Sequence, residues 1–249
     1  MPFKTESIPN LLFDDQRNLV KPNPTLAQNA VEAIKSLIFN FELIPGERFS
    51  ETELTQRLNI SRTPLRQALQ QLEQQGFLQV LPKMGWYVAP IDFSAMDELY
   101  DLRILLEINA IGELIDQGKT DLLDSLHGFW LKDKSESMFD FTHVEKQDEV
   151  FHFQIISCAG NKEILKIYQQ ITERIRLVRR LDFTKVDRIH ATFDEHGAIL
   201  NAIKSKRKDA AQFLLKTHIT QSKIEARKIT LDELYKAKSK AKITDSVSI

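Results

Sequence analysis

The stretch Leu43–Val88, LIPGERFSETELTQRLNISRTPLRQALQQLEQQGFLQVLPKMGWYV, decides how the rest of the chain is read. Pro45-Gly46 makes a turn. Ser50 with Glu53 three residues on is a capping-box pattern that opens a short helix carrying Leu54 and Leu58. Asn59 stops it. Ser61 caps the next helix, with Pro64 tolerated in its first turn. Leu65, Ala68, Leu69 and Leu72 form its apolar stripe, and Gly76 ends it where a left-handed residue is favoured. Phe77–Leu81 and Trp86–Ala89, separated by Pro82-Lys83-Met84-Gly85, read as a β-hairpin. Upstream, Ala27, Ala30, Val31, Ile34, Leu37, Ile38 and Phe41 fall on one helical face. The order is helix, helix, tight turn, helix, hairpin, which describes a winged helix-turn-helix.

Downstream of Pro90–Phe93 the pattern is helical throughout. Helices are expected at about 94–117, 120–130, 142–159, 161–181 and 186–205, and a last one runs from near Arg207 to about Ala237. The fold class is therefore mainly α: a winged helix-turn-helix followed by an all-α bundle of six or seven helices. Residues 1–24 are expected to form an N-terminal arm, 25–90 the DNA-binding domain, 91–237 the helical domain, and 238–249 a polar, frayed tail. A chain of 249 residues fits two domains better than one. One cysteine, Cys158, rules out an internal disulfide and fits a cytoplasmic protein. No apolar run approaches the ~18 residues of a membrane helix, so no membrane partner is expected. The acidic and polar residues of the first twenty positions do not suit a signal peptide.

The formal net charge of −1 gives no support to nucleic-acid binding by itself, and residues 25–90 carry six Lys/Arg against six Asp/Glu. Placement argues otherwise. Arg62 and Arg66 share a face in the first turns of the second helix of the pair, the helix that would enter a major groove N-terminal end first. Arginine suits guanine edges and phosphate alike. Ser61 and Thr63 can bond phosphate oxygens, and the helix N-terminus adds anion affinity. Lys83 sits in the hairpin turn, beside a Gly85 that lets backbone approach closely.

A second group lies in the helical half. Asp148 and His152 are four apart on one helix, with His196 and His218 on two later ones. Carboxylate and imidazole suit divalent transition metals, and facing helices can hold one between them. His127, His143 and His190 are not included. Glu195 adjoins His196 but is expected on a different helix face.

Leu43–Val88 closely resembles the winged helix-turn-helix of the GntR family of bacterial transcription factors: Pro-Gly, Ser-Glu, a leucine-bearing helix, Ser-Arg-x-Pro-x-Arg-x-Ala-Leu, a helix-ending Gly and a wing closing on Gly and Val. The resemblance implies that Arg62, Thr63 and Arg66 contact operator DNA, with Thr52 making a backbone contact. Gln67 stands where the family often has Glu. Residues 94–235 resemble the helical FCD effector domain of the FadR-type branch, through Leu102-Arg103-Ile104-Leu105-Leu106-Glu107, Asp148-Glu149-Val150-Phe151-His152 and Glu195-His196-Gly197-Ala198-Ile199. On that resemblance Asp148, His152, His196 and His218 are metal ligands for zinc, nickel or manganese. Arg103 grips the carboxylate of a small organic acid effector, Tyr100 lines the pocket, and Arg176 and Arg179 are weaker candidates whose usual role is a solvated helix face. The chain is then expected to be a homodimeric, effector-controlled transcriptional regulator and not an enzyme. The readings set against this are a metal-dependent hydrolase using the Asp/His site, and a DNA-binding protein whose helical domain only dimerises.

Overall fold

The computed structural model describes residues 23–82, 84–131 and 141–247. Lys83, most of the expected arm and the last two residues lie outside them. Contacts divide the chain into two units: Asp92–Ile229, and the N-terminal residues up to Ile91 taken together with Thr230 onward.

In the N-terminal unit, α1 spans Leu26–Phe39, α2 Glu51–Leu58 and α3 Arg62–Gln74. Strands β1 (Arg48–Phe49), β2 (Leu78–Leu81) and β3 (Gly85–Val88) form an antiparallel sheet in the order β1-β3-β2. The two-residue β1 is an addition to the expected hairpin; its pairs are Arg48 with Tyr87 and Phe49 with Trp86. A run that short carries no periodicity to read. Helix α1 stops two residues earlier than its apolar stripe, because Phe41 takes a left-handed φ of 60° in the turn. Asn59, at φ 50°, makes the tight bend between α2 and α3, a conformation Asn tolerates better than most side chains. The core is the predicted stripes meeting: Ile34 and Ile38 of α1 with Leu65, Leu69 and Leu72 of α3, all almost fully buried. Leu54, Leu78 and Val88 close it.

The second unit holds six helices among the described residues: α4 (Phe93–Asp116), α5 (Asp124–Trp130), α6 (Phe141–Cys158), α7 (Lys162–Asp182), α8 (Val186–Lys204) and α9 (Lys208–Ala226). The expected single helix over 120–130 is a 3-10 turn, Thr120–Leu123, leading into the short α5. Asp92 caps α4 by accepting from the Ser94 and Ala95 amides, and Asn161 caps α7 in the same way. Helices α4 and α9 run antiparallel, tied by Lys223–Asp101 (2.6 Å), Arg227–Asp97 (2.8 Å) and the Gln212 amide on the Ile108 carbonyl (3.0 Å).

The expected last helix does not run through to 237. It breaks after Ala226, and Thr230 with Glu233 forms a capping box that starts a new helix, α10 (Leu231–Val247). The boundary therefore falls at Ile229, and α10 groups with the N-terminal unit, where Lys238 pairs with Glu47. The stretch expected to fray is helical to Val247.

Leu69 has no exposed surface. Replacing it by Ala should destabilise the N-terminal unit by about 2–5 kcal/mol. The readout is the urea midpoint of Trp86 fluorescence in a Trp130→Phe background, which leaves Trp86 as the sole tryptophan.

Candidate functional site

Two sets of side chains stand out, one in each unit. At the start of α3, Ser61, Arg62, Thr63 and Arg66 are exposed, as are Thr52 on α2 and Gly85 at the wing. Ser61 occupies the N-cap position with extended backbone, yet its hydroxyl makes no bond to the helix. Ser50, by contrast, completes a full capping box with Glu53. The first-turn amides of α3 and the Ser61 hydroxyl thus remain free to meet an anion such as a DNA phosphate. Arg62 makes no ion pair among the described residues. Arg66 is held by Glu51 of α2 through its Nε at 2.8 Å, an exposed pair of little stabilising value that nonetheless orients the guanidinium. Gly85 has φ +87°, which a side chain would strain, and an added Cβ would stand 3.6 Å from the Phe49 carbonyl.

The second set is buried in the helical unit. One turn of α6 presents Asp148 and His152 on the same face; α8 brings His196 and α9 brings His218 to meet them. The four ligand atoms lie within 4.8 Å of one another, and all four residues are buried. His218 Nε2 is 3.1 Å from His152 Nε2 and 3.3 Å from His196 Nε2. Asp148 Oδ1 is 3.7 Å from His152 Nε2 and 3.4 Å from His196 Nε2.

Protonation decides what this cluster is. Burial pulls His152 down to about 4 and His218 down to about 3, so both rings are neutral near pH 7. His152 Nδ1 faces Glu107 Oε2 at 2.6 Å, and His218 Nδ1 faces Glu195 Oε2 at 2.5 Å. Burial works against the charge on Glu107, but His152 and Arg103 outweigh it and hold the carboxyl below its usual range. An ionised carboxylate only accepts, so each Nδ1 must carry the proton and each Nε2 a bare lone pair. Two lone pairs at 3.1 Å repel unless a cation lies between them. The donor set therefore fits a divalent metal, with Glu107 and Glu195 orienting two of the three imidazoles. His196 is positioned differently: its ring stacks on Phe151 at 3.7 Å and takes the edge of Trp130 at 4.2 Å.

Beside the cluster lies a group of buried cations. Arg103 of α4 donates through Nε to Glu107 Oε1 at 2.6 Å, while its Nη2 is buried with no hydrogen-bond partner among the described residues. Arg179 of α7 pairs with Asp148, and its Nη1 is likewise buried and unpartnered. Burial, then the charge of Arg103, pulls Arg179 down to about 9. Tyr100 is 1% exposed, and its hydroxyl is raised by burial against the pull of Arg103 and Arg179. Two orphaned guanidinium nitrogens in a dry interior call for an anionic partner.

The expected metal set is thus brought together, with Tyr100 and Arg103 alongside it. Arg176 is not free for a ligand: Glu149 takes it bidentately at 2.8 and 3.0 Å. Its neighbour three residues on, Arg179, has the open nitrogen instead. Glu195 does serve the site, contrary to the expectation from helix phase. It reaches His218 across from α8 to α9, while helix phase relates it only to its neighbour His196. Arg179 was a weaker candidate alongside Arg176; Glu107, Tyr168 and Arg188 carried no such expectation. Glu107 lies four residues after Arg103, an i,i+4 acid–base spacing that could have flagged it. Arg188 offered no such signal; it bonds Glu195 at 2.9 Å and Ser222 at 3.0 Å.

Comparison with known proteins gives two family matches: the FCD domain over residues 98–221, and bacterial regulatory proteins of the gntR family over residues 26–88. The Nta operon transcriptional regulator of Aminobacter aminovorans is 30% identical over 72% of this chain and 84% of its own length. The HTH-type regulator YdhC of Bacillus subtilis is 28% identical over 80% and 89%. Among solved structures, a GntR regulator from Rhodococcus sp. RHA1 matches with TM-score 0.61 at 20% identity, over 82% of this chain and 98% of its own. McbR/YncC of E. coli matches with TM-score 0.61 at 19% identity, over 79% and 94%.

Elemental analysis of purified protein supplied with zinc should find one divalent ion per chain, and Asp148→Ala should lose it. A wild-type protein that stays metal-free under those conditions would remove the metal assignment.

Proposed function

We propose, for a chain that belongs to the gntR family of bacterial regulatory proteins and is a DNA-binding transcriptional regulator with an FCD domain, that a small carboxylate held beside a divalent metal sets its operator affinity. The observation carrying this is the adjacency of two features in one buried place: histidine lone pairs that require a cation, and unpartnered guanidinium nitrogens on Arg103 and Arg179 that require an anion. Asp148, His152, His196 and His218 would hold the metal. Zinc suits this nitrogen-rich set, and nickel or manganese are also compatible. When bound, it would supply a positive charge able to attract a carboxylate oxygen. Arg103 and Arg179 would take the carboxylate, and Tyr100 would border it.

Glu107 and Glu195 each already accept a histidine N–H. Neither stands ready as a general base, which favours ligand sensing over hydrolysis.

At the DNA, Arg62 and Arg66 would read base edges or phosphates. Ser61, Thr63, Thr52 and the wing at Gly85 would fix the register on the backbone. Lys83, at the tip, belongs to the same proposal on sequence grounds. With six cations balanced by six anions over residues 25–90, one copy offers few phosphate contacts. We propose a homodimer that presents two recognition helices to two half-sites. Exposed Leu105 on α4 and Phe213 on α9, at 67% and 68%, favour a self-association surface on those neighbouring helices. The effector would act by binding one arrangement of the two units better than another. Among the described residues no helix is long and apolar enough to cross a membrane.

Replacing Arg62 by Ala should weaken operator binding by about 1–3 kcal/mol and relax base preference at one position in each half-site, measured by gel shift against a randomised operator. Unchanged affinity and preference would remove α3 as the reading helix. A thermal-shift screen of small carboxylates, with and without zinc, should find stabilisation that needs both.

A further inference from the structure

We infer that Glu107 is a positioning residue through which the metal site and the anion subsite raise each other's affinity; this rests on the function proposed above. Its two oxygens face opposite ways chemically. Oε2 accepts from His152 Nδ1 at 2.6 Å. Oε1 accepts from Arg103 Nε at 2.6 Å and from the Tyr168 hydroxyl at 2.7 Å. Glu107 has no exposed surface, so no water competes for either oxygen. The same Arg103 that grips Oε1 holds its Nη2 unpartnered. One carboxylate therefore stands between a metal ligand and the guanidinium that would bind an anion.

The sign of the coupling follows from charge. Arg103 divides its positive field between Glu107 and whatever meets Nη2. An anion at Nη2 neutralises part of that field and leaves more negative charge on Oε2. His152 then donates a stronger hydrogen bond through Nδ1, and its Nε2 becomes more basic. A more basic Nε2 binds a metal more tightly. By linkage, metal binding must strengthen anion binding by the same factor.

The other second-layer carboxylate lacks this connection. Glu195 backs His218 but is held by Arg188, whose Nη2 donates to Ser222 and whose Nε faces Asp182 at 3.4 Å. That arm ends on protein partners. His196 has no carboxylate behind it, only Phe151 and Trp130. Arg179 gives a separate, direct route through Asp148, which Glu107 does not share.

The test titrates zinc into the full chain against a chelator, with and without acetate at constant ionic strength. Acetate should tighten zinc binding to the wild type by about fivefold or more. Glu107→Gln keeps a hydrogen-bonding side chain but removes the charge. It should weaken zinc binding by about 10–100-fold and cut the acetate effect to under half of its wild-type factor. Glu195→Gln should also weaken zinc binding yet keep the acetate effect, which a purely structural role for Glu107 would not predict. A readout that needs no variant is the Nδ1 proton resonance of His152 in the zinc-loaded wild type. Acetate should move it, and should leave that of His218 in place. No zinc uptake by the wild type removes the metal reading and this inference with it. Zinc uptake with no acetate effect overturns the inference alone. So does an undiminished acetate effect in Glu107→Gln, or equal movement of the two histidine protons.

Discussion

The helical unit is organised around an electrostatic constraint at its centre. Two neutral imidazoles, His152 and His218, turn Nε2 lone pairs toward each other, with the His196 ring and the Asp148 carboxylate beside them and all four residues buried. Isolated, such groups would cost several kcal/mol each to bury. Most are instead answered by a neighbour from another helix, while the buried His196 Nδ1 has no hydrogen-bond partner among the described residues. Glu107 of α4 and Glu195 of α8 fix two tautomers, Arg179 of α7 meets Asp148, and Arg103 of α4 meets Glu107. The bundle cannot slide one helix against the next without unpairing a buried charge. Packing alone would not impose that restriction, since apolar faces tolerate modest shifts more cheaply than charge pairs do.

This arrangement also accounts for the internal position of the proposed ligand site. Buried guanidinium groups are retained where their charge is used, and here two of them keep one nitrogen open. An anion arriving there meets a site of low polarity in which each contact is stronger than in water. Helices α4, α6, α7, α8 and α9 each contribute a charged or ligating group to this interior. The antiparallel pair α4 and α9 carries both Arg103 with Glu107 and His218, and it is clamped near one end by Asp97–Arg227 and Asp101–Lys223.

The N-terminal unit follows a different logic. Its core is wholly apolar where α1 meets α3, and its chemistry is on the surface. Helix α2 is capped by its own side chains, whereas α3, which carries Arg62 and Arg66, is left uncapped at Ser61. Forgoing a side-chain cap costs about 1 kcal/mol. It leaves amide groups pointing outward where phosphate can replace the missing partner. The even charge balance over residues 25–90 is compatible with this, since acidic Glu42 and Glu51 are themselves paired with Arg57 and Arg66.

Local rules were enough for much of this. Capping boxes, the Gly76 stop and the leucine stripe mark the helix-turn-helix because each is set by residues within one or two turns. The i,i+4 pair Asp148 and His152 was legible for the same reason. The brief β1, the break after Ala226 and the return of α10 to the N-terminal unit were not, because short strands and helix partnerships are decided by what packs against them. Nor was the choice between Arg176 and Arg179: both lie on the same helix with similar spacing, and only the approach of Glu149 to one and of Asp148 to the other separates them. Glu195 shows the same limit, since its partner is 23 residues away on another helix. From residues alone came the two kinds of unit, the candidate reading helix and the four candidate metal ligands. Tertiary structure alone decided which acids back which histidines and which arginines keep an open nitrogen, because hydrogen bonding between helices depends on rotation and register that periodicity does not encode.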